Sequence, residues 1–210
     1  MARGAFITFE GGEGAGKSTQ VKRLANRLER AGRTVVQTRE PGGSPSAEEI
    51  RNLLVTGRAD RWSPLAETLL FYAARVEHWR QVIDPALASG KDVICDRFAD
   101  STMAYQAYAG GLPRADIERL HSLVVPTAKP DITIILDLPP DVGLSRAAHR
   151  HGNENRFESK DIGFHERLRQ GFIDIAKREP ARCEVLDANR SIDEIDETVW
   201  SVIRKRLNIG

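Results

Sequence analysis

Residues 6 to 20, FITFEGGEGAGKSTQ, constrain the fold more tightly than any other stretch. Gly11, four residues, then Gly16-Lys17-Ser18 give the spacing G-x-x-x-x-G-K-[ST], with a β-branched run before it and a helical pattern after it. Strand, glycine loop and helix in that order form a cradle. The glycines let the backbone curl until its N–H groups face phosphate oxygens, and the helix start adds positive potential. The cradle comprises Gly11, Gly12, Glu13, Gly14, Ala15, Gly16, Lys17, Ser18 and Thr19. Lys17 is expected to reach the β and γ phosphates of a bound nucleotide, and the Ser18 hydroxyl to ligate Mg²⁺.

Four further short apolar runs follow: TVVQT (34–38), DVICD (92–96), DITIILDL (131–138) and CEVLD (183–187). Runs of this length suit strands buried on both faces, as in a parallel sheet. Helical spacing separates them. Val21, Leu24, Ala25 and Leu28 share a face, with Gly32 placed to cap the C-terminus. Residues 65 to 89 read as a long helix that Pro85 should kink or end early. Further helical patterns cover about 115–125, 140–150, 161–178 and 191–207. Alternating strands and helices predict a three-layer α/β domain spanning 1–210.

Composition narrows the partners. Lys plus Arg total 31 against 30 Asp plus Glu, so no bulk field steers the chain onto nucleic acid or an anionic membrane. The two cysteines, Cys95 and Cys183, are far apart, which fits a reduced protein better than a disulfide-stapled one. The chain enters its first strand-like run without a signal-peptide pattern, and nothing approaches the roughly 20 apolar residues of a membrane span. A cytoplasmic protein is expected.

The cradle alone does not choose among switch GTPases, motors and small-molecule kinases. AKPD at 128–131 lacks the Asn of a guanine-reading N-K-x-D, and a motor would carry a more positive channel. Three stretches suggest an acceptor site instead. TREPGGS (38–44) puts Arg39 at the end of a strand before a sharp turn. FYAARVE (71–77) puts Phe71 and Arg75 on one helix face, and CDRFADSTMAYQ (95–106) puts Asp96-Arg97 at another strand end. Singly, Arg39 could be a surface arginine, Phe71 a core aromatic and Arg97 a carboxylate's partner. Together with the cradle they suit forked recognition of a phosphate.

These motifs, with PDITIILDL and NRFE, resemble the thymidylate kinase family along essentially the whole chain and in the family's order. The resemblance implies a P-loop NTPase fold with a five-stranded parallel sheet and a short lid at about 146–161. It also implies a Mg²⁺-dependent homodimer that converts dTMP and ATP to dTDP and ADP in dTTP synthesis. By the same resemblance Phe71 stacks on thymine and Arg75 donates to a base carbonyl. Ser101, Thr102 and Gln106 lie near the base, and Tyr105 crowds the 2′ position. Arg39 and Arg97 hold the acceptor phosphate, Asp96 organises Mg²⁺ and its waters, and Glu13 reaches the acceptor 3′-hydroxyl. Glu10 either supports the metal shell or orders the loop.

One more cation is expected at the transferring phosphoryl group. The loop offers only Gly14 and Ala15 after Glu13, so the polar stretch HRHGNENRFESKD (149–161) becomes a lid rather than a plain solvated loop. Arg146, Arg150 and Arg156 are its candidates, with Arg150 taken first as catalytic beside Lys17, Arg97 and Asp96. Two alternatives stay open: the same fold acting on another nucleoside monophosphate or a deoxynucleoside, or a nucleotide-binding module without turnover.

Overall fold

A computed structural model describes residues 2–58, 60–148 and 156–209. Five parallel strands, β1 (Phe6–Glu10), β2 (Val35–Arg39), β3 (Asp92–Asp96), β4 (Ile132–Asp137) and β5 (Cys183–Asp187), lie in the order β2-β3-β1-β4-β5. From β1 the chain crosses to the edge strand β2, returns to β3 beside β1, and then crosses to β4 and β5 on the other side. Such a reversal opens a crevice at the carboxyl ends of the central strands.

Register decides which residues meet there. Arg39 pairs with Asp96, and Asp96 with Phe9, so the ends of β1, β2 and β3 open on one edge, as their sequences lead one to expect. On the other side Glu10 pairs with Ile135 and Asp137 with Asp187.

The period of two along β1 sends alternate side chains to opposite layers. Ile7 and Phe9 pack with Val21, Leu24 and Leu28 of α1 (Lys17–Arg30) and Ile195, Val199 and Ile203 of α9 (Ile192–Arg206). Phe6 packs oppositely, with Val93, Cys95, Trp79, Ile83, Leu87 and Ile117. β1, β3 and β4 are buried along nearly their whole length, as expected. β2 and β5 correct that expectation: each is a sheet edge with a single neighbour, and both are partly exposed.

Local chemistry accounts for the helix ends. Gly32, at φ +81°, ends α1, with Arg33 N–H reaching Leu28 O at 3.0 Å. Ser63 caps α3 (Pro64–His78), accepting from Ala66 N–H, with Pro64 in its first turn. The run expected over 65–89 is divided as Pro85 requires. After α3 the backbone widens into a π-helical turn, Trp79–Ile83, before α4 (Asp84–Ala88). Pro85 has no N–H to return to the preceding turn, and the N–H of Asp84 reaches back to Trp79 O instead.

Two helical segments lie outside the expected set: α2 (Pro45–Val55), and α5 (Ala99–Thr102) continued by a π-helical stretch, Met103–Ala109. Ser44-Pro45 is an ordinary helix start, but the apolar residues of α2 crowd toward its end rather than repeating along it; the second segment lacks a regular 3.6 period because part of it is π-helical. α6 (Arg114–Val124), α7 (Pro140–Ala148) and α8 (Ile162–Arg178) lie where expected. Among the described residues no helix is long and apolar enough to cross a membrane.

Candidate active site

A cavity of about 560 Å³ opens at the carboxyl edge of the sheet. One side is the loop from Glu13 to Thr19; facing it are Arg39, Phe71, Arg75, Asp96, Arg97, Ser101, Thr102, Tyr105, Gln106 and Arg146. The strand ends and α3 bring these residues together from distant parts of the chain. Gly11 and Gly12 lie behind the lining as its turn.

The loop is curled as the glycine spacing requires. Gly14 sits at φ +66°, and a Cβ there would lie 2.1 Å from Gly143 O, so both conformation and space exclude a side chain. Lys17 folds back over the loop, donating to Gly11 O at 3.1 Å and Gly12 O at 2.7 Å. Burial, reinforced by the nearby Arg97 guanidinium, lowers the Lys17 ammonium to about 8. Ser18 Oγ donates to Asp96 Oδ2 at 2.5 Å, joining the first turn of α1 to the end of β3.

Arg97 occupies the left-handed region at φ +71°, rare for a side chain of its size. Its guanidinium donates to Gly11 O at 2.9 Å, Glu13 at 3.0 Å and Ser101 Oγ at 3.2 Å, and lies over the Tyr105 ring. The Tyr105 hydroxyl donates to the same Glu13 carboxylate. Glu10 supports this turn from beneath the sheet edge. Fully buried, it accepts from Phe98 N–H at 2.8 Å and Ser101 Oγ at 2.5 Å. Burial and the neighbouring Asp100 raise it to about 8. Its contacts order the turn after β3, from Phe98 to Ser101, rather than the phosphate loop or a metal shell.

The opposite wall carries the remaining arginines. Arg39 is half exposed and paired with Glu48 at 3.0 Å, which also accepts from Gly43 N–H. Arg75, buried on α3, donates to Glu40 at 2.7 Å, Phe98 O at 3.2 Å and Thr102 Oγ1 at 2.9 Å. Phe71, one turn earlier, faces Phe157 with ring centroids 6.1 Å apart, and Phe157 meets Tyr105 edge-on at 5.4 Å. Gln106 donates to Glu67 at 2.8 Å.

The lid cations separate. Arg146, on α7, lines the cavity and donates to Ala188 O at 3.0 Å. Arg150 lies outside the described residues. Arg156 departs from the expectation of a lid cation: it is buried away from the cavity lining, bonded to Arg58 O, Leu54 O and the Glu67 carboxylate. The physical reason is Glu67 itself, a buried carboxylate on α3 that needs a cationic partner. Sequence reasoning passed over Glu40, Arg51, Phe157 and Glu158, which also line the cavity. Glu40 and Phe157 stand inside TREPGG and NRFE, so a signal existed there; Arg51 belongs to the unexpected α2.

Among the described residues no three His, Cys, Asp or Glu side chains gather for a metal. The Ser18–Asp96 pair beside the phosphate loop fits Mg²⁺ in the other mode, where one or two protein oxygens supplement phosphates and waters.

A family profile described as thymidylate kinase matches residues 9–199. A thymidylate kinase of Caulobacter vibrioides is 56% identical over 209 residues, covering 100% of both chains. One of Bradyrhizobium diazoefficiens is 52% identical over 98% of this chain and 91% of its own. A crystal structure of thymidylate kinase from Ehrlichia chaffeensis superposes with a TM-score of 0.77 at 39% identity, covering 96% of this chain and 99% of that one. Sequence order, sheet topology and cavity thus agree, and the chain belongs to the thymidylate kinase family.

Proposed function

We propose that this chain transfers the γ-phosphoryl group of ATP to dTMP, giving dTDP and ADP. The observation that carries the reading is one cavity lined on one side by the phosphate loop and on the other by Arg39, Phe71, Arg75 and Arg97. Donor and acceptor can therefore meet in a single cavity.

An acceptor phosphate oxygen attacks the γ phosphorus; its P–O bond forms as the bond to the β,γ-bridging oxygen breaks, and ADP leaves. A phosphomonoester has its second pKa near ~6, so the attacking oxygen is already ionised at neutral pH and no general base is needed. The difficulty is bringing two polyanions together, so positioning and charge neutralisation supply the catalysis. The loop N–H groups and Lys17 hold the donor phosphates. Arg97 and Arg39 hold the acceptor phosphate, exchanging Glu13 and Glu48 for it. Glu13, so released, is placed for the 3′-hydroxyl, and Tyr105 closes the 2′ side. Phe71 stacks on thymine, Arg75 faces its carbonyl, and Thr102, Ser101 and Gln106 complete the base side. Ser18 and Asp96 would hold Mg²⁺, which would supply charge neutralisation for the donor phosphates.

Arg150 is assigned the cation at the transferring group, with Arg146 four residues before it in the sequence. Arg150→Ala is expected to lower turnover by about 10³-fold; near-normal turnover removes the assignment. A homodimer is the assembly this reading assigns, supported by the exposed Leu65 and Leu69 on α3. A reducing, cytoplasmic setting is supported by Cys95 and Cys183, both free.

The test is ADP production with ATP and Mg²⁺, offering dTMP, dUMP, dCMP, dGMP and AMP in turn, with Lys17→Ala as control. Turnover far highest with dTMP and lost in the control is expected. Turnover on no acceptor would reduce the cavity to a binding device.

A further inference from the structure

Arg156 is one of the largest fully buried side chains, yet it stands outside the cavity lining. Its Nε donates to Arg58 O at 3.0 Å, and its Nη1 to Leu54 O at 3.1 Å and to Glu67 Oε2. The other oxygen of that carboxylate, Glu67 Oε1, accepts from Gln106 Nε2 at 2.8 Å. Glu67 and Gln106 are buried too. An ionised carboxylate only accepts, so it turns the amide nitrogen of Gln106 toward itself.

This network starts and ends at the cavity wall. Gln106 lines the cavity at one end, and at the other Phe157, the residue after Arg156, has its ring centroid 5.1 Å from the guanidinium. Leu54, whose carbonyl Arg156 satisfies, sits in the last turn of α2, where the helix itself supplies no donor. Its neighbours Arg51 and Val55 line the cavity as well. One planar fork therefore ties α3, the end of α2 and the Phe157 segment together, with directions that a rotated side chain would not keep. Guanidinium and carboxylate so deeply buried also depend on each other for charge.

We infer that Arg156 and Glu67 are positioning residues for the acceptor half of the cavity: the pair sets the Phe157 ring, the Gln106 amide and the end of α2 around the acceptor nucleoside. This rests on the reading that dTMP occupies that half. The phosphate loop forms the opposite side of the cavity, so donor binding is independent of the pair. Arg156 thereby serves the acceptor through the wall it holds, and not the donor phosphates by direct contact.

The test measures Kd for dTMP and for ATP by calorimetry, beside turnover and thermal stability, in the wild type, Arg156→Lys and the double variant Arg156→Met with Glu67→Gln. The double variant removes both buried charges at once, so it keeps its stability while losing the fork. It is expected to weaken dTMP binding about tenfold and leave ATP binding within about twofold. Arg156→Lys keeps a charge opposite Glu67 but not the fork to both carbonyls, and should fall between the two. Unchanged dTMP binding in the double variant would overturn the inference and leave the pair purely structural. Weakened ATP binding with dTMP binding intact would overturn it in favour of a direct role at the donor. Equal weakening of both, following a loss of thermal stability, would overturn it as well. Should the double variant fail to fold, Arg156→Lys decides by the same split. A wild type that binds dTMP without turnover removes phosphoryl transfer but not the positioning; one that does not bind dTMP removes both.

Discussion

Glu10 ends β1 and Lys17 begins α1 across the phosphate loop, one beneath the cavity and one lining it, and burial shifts both toward their uncharged forms. For Lys17, lowered to about 8 by burial and then by Arg97, a bound polyphosphate adds negative charge and raises the ammonium again. ATP binding should therefore take up a proton above about pH 8, with affinity level below that point and falling by up to about tenfold per pH unit above it. Calorimetry in buffers of different ionisation enthalpy reads this directly; no proton uptake near pH ~9 would contradict it. Glu10 gives a stability prediction. Its folded value of about 8 exceeds the ordinary 4.5 of a free glutamate, so between the two the folded chain keeps a proton that the unfolded chain has released. Stability then falls as pH rises through that window. Relative to Glu10→Gln, wild-type stability should drop by up to about 1.4 kcal/mol per pH unit. Denaturant titrations at about pH 5.5 and 7.5 check it, and parallel curves for the two proteins would refute it.

At the scale of elements, the phosphate loop is shaped by α7 as well as by its own sequence. A Cβ on Gly14 would meet Gly143 O at 2.1 Å, and one on Gly143 would meet Glu13 O at 2.4 Å, so helix and loop touch backbone to backbone. Gly143→Ala should push α7, and Arg146 with it, away from the loop. The expected result is a stability loss of about 1–3 kcal/mol and a KM for ATP raised more than that for dTMP. Denaturation and kinetics together check this; an unaltered KM for ATP would show that the loop keeps its shape without α7. The period of α1, its Gly32 cap and the break imposed by Pro85 were legible in sequence because each is decided within a few residues. A glycine inside α7 carried no such message, since its partner lies in a different element.

For the whole molecule, Leu65 and Leu69 lie one turn apart on α3 and are 56% and 51% exposed, an apolar strip that a second copy would cover in the proposed homodimer. Light scattering should give twice the chain mass for the wild type, and Leu65→Asp with Leu69→Asp should bring it to a single chain. A double variant that keeps the wild-type mass would move the interface elsewhere. Chain order, the parallel α/β architecture, the phosphate loop and the residues Arg39, Asp96 and Arg97 at the strand ends were determined by sequence alone, because strand composition and glycine spacing act locally. Only tertiary structure decided what each arginine does. Arg156 is buried against Glu67, 89 residues away, while Arg146 faces the cavity; Arg75 is fixed by Glu40, 35 residues away, and through it by His78. Burial and charge pairing depend on which distant groups the fold brings together, and one-dimensional spacing does not encode that proximity.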